Sequence, residues 1–426
     1  MRVLLLSLGT RGDLEPFLAA GVLLRDRGHE VRAVMPAQFA ELVYEAGIEF
    51  RPLSHEFLEL LDTAAGRGIM GQRGGRLRRL GQLVHLARAS ARLQRRLVEE
   101  QRAATLDFAP DRLLYHPKCF YARLWGMRHP DRAFALSPVP NWLHPTRRYP
   151  HIAFPQNWTR LPTGWTYRLA NGATALAASR ALRRFRDDFP GVDVRFRAMR
   201  RHMREREHVL YLVSPTLFPP PPEWPARAQV IGHLERTSGA DYDPPPELAA
   251  FLERHAGEDV LGVTFGSMVG ADPARTTAAI LEALAELGVP AVLNTAGGGL
   301  VRTAAPAGAR VAWVDGVPYD WLLPRVAALV HHGGSGTTNA ALRHGCASMI
   351  VPHIVDQFFW ARRCVDLGVG PAGPPISRLT ASSFLAGARA LLAEPRYRAR
   401  AGAIAQGMRG EDAAGGLVAA LGVAGS

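Results

Sequence analysis

The chain has 426 residues, a formal net charge of +13, and 47% hydrophobic, 21% charged and 8% aromatic residues. This excludes a disordered, collagen-like or disulfide-stapled chain and suits two domains of about 200 residues each. The charge is lopsided: residues 1–215 carry 35 basic and 20 acidic side chains, residues 216–426 carry 16 and 18, and Lys118 is the only lysine.

Val3–Leu8 reads as a short buried strand, Gly9–Gly12 as a turn and Leu14–Arg27 as an amphipathic helix, with Leu18, Val22 and Leu23 on one face. Gly28 stops that helix and His29–Met35 forms the next strand, completing a βαβ unit and implying a parallel sheet. Further strands are expected at Arg112–Tyr115, Ala133–Leu136 and Val209–Val213, with long helices at Arg76–Leu106 and Gly164–Arg186. Residues 216–246, bracketed by Pro219–Pro222 and Pro244–Pro246, read as a proline-rich linker. The rhythm then restarts: strand Val260–Phe265, helix Ala274–Leu287, strands Ala291–Asn294, Val311–Val314 and Ala327–His331, helix Thr337–His344, strand Ser348–Val351. The expected architecture is α/β: two Rossmann-like domains, 1–215 and 247–426, facing each other across a cleft, the last helix packing back on the first. No apolar run approaches 18 residues and Val3–Leu8 is too short for a signal peptide, so a soluble cytoplasmic protein is expected. Cys119, Cys346 and Cys364 are odd in number and far apart, which fits a reducing compartment and not a CxxC metal site.

Val330-His331-His332-Gly333-Gly334-Ser335-Gly336-Thr337-Thr338 ends a buried strand and leads through glycines into a helix. Free N–H groups at such a helix start make an anion site, to which Thr337 or Thr338 adds a hydroxyl and His332 a ring N–H. It lacks the GxxxxGK[ST] lysine, which argues against a kinase or ATPase. Asp356 and Gln357 follow the next strand on the same side, a carboxylate beside an amide that suits a hydroxyl-rich ligand or a plain helix start. Asp13, at the first helix's beginning, is either a capping carboxylate or a base for an acceptor hydroxyl. Asp241 and Asp243 form the only D-x-D and lie in the linker, so no metal site is expected. Trp142 and Phe154, with Trp158 and Trp165, either pack the core or line an apolar pocket.

The run Val317-Pro-Tyr-Asp-Trp-Leu-Leu-Pro through His332-Gly-Gly-Ser-Gly-Thr, then Val351-Pro-His-Ile-Val-Asp-Gln, resembles the donor signature of GT-B UDP-glycosyltransferases. The opening Gly9-Thr10-Arg11-Gly12-Asp13-Leu14-Glu15-Pro16, with Tyr115-His116-Pro117-Lys118, is similar to the sterol 3-beta-glucosyltransferase and bacterial natural-product branch. The resemblance implies that His332, Gly334, Ser335, Gly336 and Thr337 hold the donor diphosphate. Asp356 and Gln357 would read the sugar, the Val317 backbone the nucleobase, and Gly266 and Ser267 the phosphates. It makes Asp13 the general base, with Thr10, Arg11, Trp142 and Phe154 on the acceptor side. Trp313 precedes the base-stacking position and reads as a core tryptophan. Phe358 replaces the usual proline after Asp-Gln, and His353 stands where an aromatic or neutral polar residue is common.

The expected reaction is an inverting, metal-independent transfer from a UDP- or dTDP-sugar to a hydroxyl of an apolar acceptor: a polyketide, sterol, hopanoid or lipid. No other cofactor is implied. The rival readings are a UDP-sugar 2-epimerase and a non-catalytic nucleotide-sugar or lipid-binding relative. Nucleic acid is not an expected partner, since no aromatic-interleaved basic stripe appears. The ten arginines of residues 66–102 read as a solvated helix face, or as a peripheral membrane contact.

Overall fold

The computed structural model describes residues 1–54, 93–158, 162–236, 242–270 and 272–423. It divides into two compact units: Met1–Arg236 with Asp412–Ser426, and Thr237–Glu411.

The first unit is built on a seven-stranded parallel sheet of order β3-β2-β1-β4-β5-β6-β7. Its strands are β1 (Arg2–Leu6), β2 (Glu30–Pro36), β3 (Glu49–Leu53), β4 (Arg112–Tyr115), β5 (Ala133–Ser137), β6 (His208–Tyr211) and β7 (Ala228–Val230). Val3–Leu6 is fully buried, as a continuous apolar run in a sheet covered on both faces must be. β1 and β4 pair with Leu6 opposite Tyr115, so the loops leaving both strands emerge side by side. This is where the strand order reverses, the usual ligand position of a doubly wound sheet. The helix Arg11–Arg25 packs Leu14, Phe17 and Leu18 into a core shared with Leu417 and Leu421 of the helix Ala413–Leu421. The chain's last helix therefore belongs to the first unit, anchored also by Arg112 Nε donating to the Leu421 carbonyl (3.1 Å).

Part of the stretch expected as linker is structured instead. Ala228–Val230 forms the edge strand β7, the first unit extends to Arg236, and Pro246 opens the helix Pro246–Arg254. Proline is at home beside an edge strand and in a helix's first turn, so its density here did not mark a tether. Of the expected helix Arg76–Leu106, residues 93–108 are helical and those before 93 lie outside the described residues. Two arginines of that helix meet acidic partners: Arg96 with Glu100 (3.0 Å) and Arg102 with Asp188 (2.6 Å).

The second unit carries a five-stranded parallel sheet, order β10-β9-β8-β11-β12: β8 (Leu261–Thr264), β9 (Ala291–Asn294), β10 (Val311–Val314), β11 (Ala328–His331) and β12 (Ala347–Ile350). Its order reverses between β8 and β11, with Thr264 opposite His331, so the loops after those strands share one end of the sheet. No helix among the described residues is long and apolar enough to cross a membrane.

Candidate functional site

In the first unit, Asp13 is the third residue of the helix Arg11–Arg25, with Thr10 as its N-cap. Its Oδ2 accepts the Thr10 N–H (2.9 Å), the back-reaching half of a capping box. The capping reading and the catalytic reading thus divide the carboxylate, one oxygen each. Oδ1 faces the loop after β4, with His116 Nε2 at 3.2 Å and Lys118 Nζ at 3.4 Å. The Lys118 backbone N–H donates to His116 Nδ1 (3.2 Å), which leaves the ring proton on Nε2, toward Asp13. Gly9, at φ +142°, leaves room for the carboxylate, because a Cβ there would fall on it.

Burial alone would raise the Asp13 carboxyl. The Lys118 ammonium, then His116 and the Thr10 N–H, outweigh it and hold the group well below the usual carboxylate range. Burial pushes His116 down to about 4, so the ring is neutral near pH 7. Trp142 stands edge-on to His116 (centroids 5.1 Å apart) and its ring faces the Lys118 ammonium at 5.5 Å. Asp13, Thr10 and Trp142, three of the expected residues, therefore come together. Arg11 turns to Glu15 instead (3.0 Å). Phe154 joins a separate aromatic group with Trp165 (5.3 Å) and Trp158 (6.0 Å).

Sequence reasoning gave His116 and Lys118 no role. The available signal was compositional: one lysine among fifty arginines, in a His-Pro-Lys run after a strand.

In the second unit, His332 lies between two glycine loops. A Cβ on Gly334 would come 2.5 Å from its Nε2, and one on Gly266 3.2 Å from its Cε1. Gly333, at φ +90°, would push a Cβ to 2.5 Å from Ile350. Beyond it the helix Ser335–Arg343 begins, and the space around Gly336 is open. N–H groups of a first helical turn have no intrahelical acceptor and suit an anion. The Thr338 hydroxyl donates back to the Gly334 carbonyl (2.9 Å), while Thr337 Oγ1 lies 3.4 Å from the Tyr319 hydroxyl. Burial, then His353, lowers His332 to about 3, so it offers a neutral ring rather than a cation.

Gln357 is buried, and its Oε1 accepts the N–H groups of His353 (2.7 Å) and Ile354 (3.1 Å). Its carbonyl holds its own loop, so only the NH₂ remains to meet a ligand. Asp356 occupies the N-cap position of the helix Gln357–Leu367, with no side-chain bond to the helix's first turn. Val355 just before it has φ +38°, a left-handed backbone that a β-branched residue adopts only under strain. The Val317 side chain is buried with Leu248, Phe251 and Val260, so a ligand can meet only its backbone. Trp313 packs against the core, as expected.

A loop unmarked by sequence reasoning completes this end of the sheet. Gly299 N–H donates to the Gly266 carbonyl (2.9 Å), and a Cβ on Gly297 would meet Ser267 N at 2.7 Å. Three consecutive glycines, two residues after a strand, were the signal. Among the described residues, no group of three His, Cys, Asp or Glu could hold a metal ion; Asp241 lies outside them.

Residues 3–109 match the glycosyltransferase family 28 N-terminal domain, and residues 278–421 the erythromycin biosynthesis protein CIII-like C-terminal domain. The chain is 29% identical to the Arabidopsis thaliana sterol 3-beta-glucosyltransferase UGT80B1, over 97% of this chain and 66% of that protein. It is 30% identical to UGT80A2 of the same plant, over 99% and 65%. It thus spans about two thirds of these plant relatives, and 28% of the sterol 3-beta-glucosyltransferase of Yarrowia lipolytica. Among solved structures, the calicheamicin glycosyltransferase CalG4 aligns with a TM-score of 0.72 at 22% identity, covering 99% of this chain and 98% of that one. Glycosyltransferase VinC, solved with dTDP, aligns at 0.67 and 19% over both full chains. These likenesses show the fold. With both units built on parallel sheets and matches along nearly the whole chain, the chain belongs to the GT-B UDP-glycosyltransferase family.

Proposed function

We propose that the protein transfers a sugar, with inversion and without a metal, from a UDP- or dTDP-sugar to a hydroxyl of an apolar small molecule such as a sterol or polyketide. The observation that carries this is Asp13, whose Oδ1 is turned to His116 and Lys118 while Oδ2 serves the cap. Oδ1 takes the acceptor hydroxyl proton as the oxygen attacks the anomeric carbon. The bond from that carbon to the diphosphate oxygen breaks, and its electron pair leaves with the nucleoside diphosphate. The glycine turn at Gly333–Gly336, the helix start and His332 stabilise that leaving group. Being neutral, His332 contributes a polar contact, and the helix start supplies the partial charge. Gln357 presents its NH₂ to the sugar and the Val317 backbone contacts the base.

The acceptor class rests on the sterol 3-beta-glucosyltransferase relatives and on the Trp142 ring against His116, the neighbour of Asp13. The test pairs a sugar-transfer assay, read by mass spectrometry over a sterol and polyketide panel, with calorimetry of UDP and dTDP. Asp13→Asn is expected to lower turnover by about 10²–10⁴ while leaving nucleotide affinity unchanged. Near-full turnover of the variant contradicts the role of Asp13. Absence of nucleotide binding by the parent protein contradicts the donor.

A further inference from the structure

The Asp13 carboxylate holds three hydrogen-bond donors without any substrate, and the His116 ring stands beside it. Oδ2 is approached by the Thr10 N–H (2.9 Å) and hydroxyl (3.4 Å), and Oδ1 by His116 Nε2 (3.2 Å) and Lys118 Nζ (3.4 Å). An acceptor hydroxyl that reaches Oδ1 must therefore compete there with the Lys118 ammonium, the one charged donor on that oxygen. Thr10 is fixed by the helix start. His116 is fully buried, its Nδ1 bound to the Lys118 N–H. Lys118 differs, since its side chain is one-third exposed on a flexible stem. Its ammonium already lies over the Trp142 ring, a second resting place beside the first.

We propose, resting on the transferase reading, that Lys118 is the positioning residue that decides when Asp13 acts as a base: its ammonium keeps Oδ1 until an acceptor hydroxyl takes its place. With the ammonium in contact, the carboxylate is a poor proton acceptor. Once the ammonium moves onto Trp142, only the neutral His116 still faces Oδ1, and desolvation by an apolar acceptor favours protonation. Water at the empty site meets the locked form, so the donor is spared hydrolysis. The other charged groups near Asp13 on its own helix are already paired, Arg11 with Glu15 and Glu15 with Arg236 (2.9 Å). His116 and Lys118 are the titratable groups that face it from the loop after β4, and the loop carrying Trp142 brings its ring. The role also explains the lone lysine. A guanidinium grips a carboxylate through two parallel bonds and is not readily displaced, whereas an ammonium is a single point contact. In a chain that uses arginine at every other basic position, this is the one place where a releasable cation is needed.

The test has two arms on the full-length protein. In the first, sugar transfer and acceptor-free hydrolysis of the nucleotide sugar are measured near pH 7.5 for the parent, Lys118→Met and Lys118→Arg. Lys118→Met is expected to raise hydrolysis relative to transfer by about tenfold or more. Lys118→Arg should keep hydrolysis low and lose turnover. A parent that transfers sugar while Lys118→Met leaves the hydrolysis ratio unchanged overturns the proposal and leaves the transferase reading standing. The second arm needs no activity: trinitrobenzenesulfonate labelling is followed by peptide mass, Lys118 being the only side-chain amine. Asp13→Asn should speed labelling of Lys118, and an unchanged rate overturns the pairing itself. If the parent transfers no sugar to any acceptor of the panel, the transferase reading falls, and the proposal that rests on it falls too.

Discussion

At Gly9 a single hydrogen atom decides where the Asp13 carboxylate sits. The residue has φ +142°, and a methyl group there would occupy the carboxylate's place. Gly9→Ala forces either the backbone or the carboxylate to move. A shift near 1 Å at a reacting group costs on the order of 10²-fold in rate, so turnover should fall by about that factor. Nucleotide affinity, which the proposed function assigns to the glycine turn Gly333–Gly336, should stay. Calorimetry beside the transfer assay checks the split, and unchanged turnover would show that Asp13 need not sit back over Gly9. Asp13 itself was legible in the sequence, because the Gly-Thr-Arg-Gly-Asp turn directly follows an apolar strand. Its partners were not. His116 and Lys118 lie more than a hundred residues away and reach Asp13 only because β1 pairs with β4, a register that periodicity does not contain. Gln357 was legible as a polar group on the right loop, but its carbonyl's use by the loop backbone appears only in three dimensions.

Whole elements were legible where burial is two-sided. Arg112–Tyr115 and Ala291–Asn294 form as their apolar runs predict, and Val311–Val314 does so although it is an edge strand with only Val314 buried. The first helix begins at Arg11, before the expected Leu14, because its opening turn is polar and capped rather than apolar. The strands missed are the two edges of the larger sheet. β3 holds Pro52 and buries only Leu53, and β7 is three residues long. Edge strands need not alternate or bury both faces, so they leave little pattern. The Pro352–Asp356 loop shows the same limit, since nothing in its sequence announces Val355 at φ +38°. That strain costs about 1–3 kcal/mol and is held by the two Gln357 bonds on one side and the helix Gln357–Leu367 on the other. Val355→Gly should therefore raise the melting temperature modestly, a gain of about 1 kcal/mol after glycine's own entropic cost. On the proposed donor reading, nucleotide-sugar affinity should drop, because the loop that carries Asp356 and Gln357 loses its preset shape. Thermal melts and calorimetry check both, and a destabilised variant would mean that the positive φ carries no strain.

For the whole molecule, the net charge of +13 says less about function than the buried histidines say about stability. Burial lowers His116, His144, His151 and His202 of the first unit, and His353 of the second, to about 4. It lowers His331 and His332 of the second unit to about 3. In an unfolded chain these rings take up protons near pH 6.5, so between about 6.5 and 4 the unfolded state binds more protons than the native one. Stability must then fall as the pH falls through that window. Each group contributes at most about 1.4 kcal/mol per pH unit, so the first unit, with four, loses up to about 5.6 kcal/mol per unit of pH and the second, with three, about 4.2. Domains hold only about 5–15 kcal/mol in total. The buried carboxylate of Glu207, held low against burial by Arg123, loses its share only below its unfolded value, so it does not blur the histidine window. Calorimetric scans from pH 7.5 to 5 should therefore show the melting temperature dropping steeply below pH 6.5. The first unit should give way ahead of the second, because it keeps four such rings neutral rather than three. A melting temperature that stays level down to pH 5 would mean that these rings gain protons without leaving their places. The native state would then hold charged imidazoles where burial says it cannot.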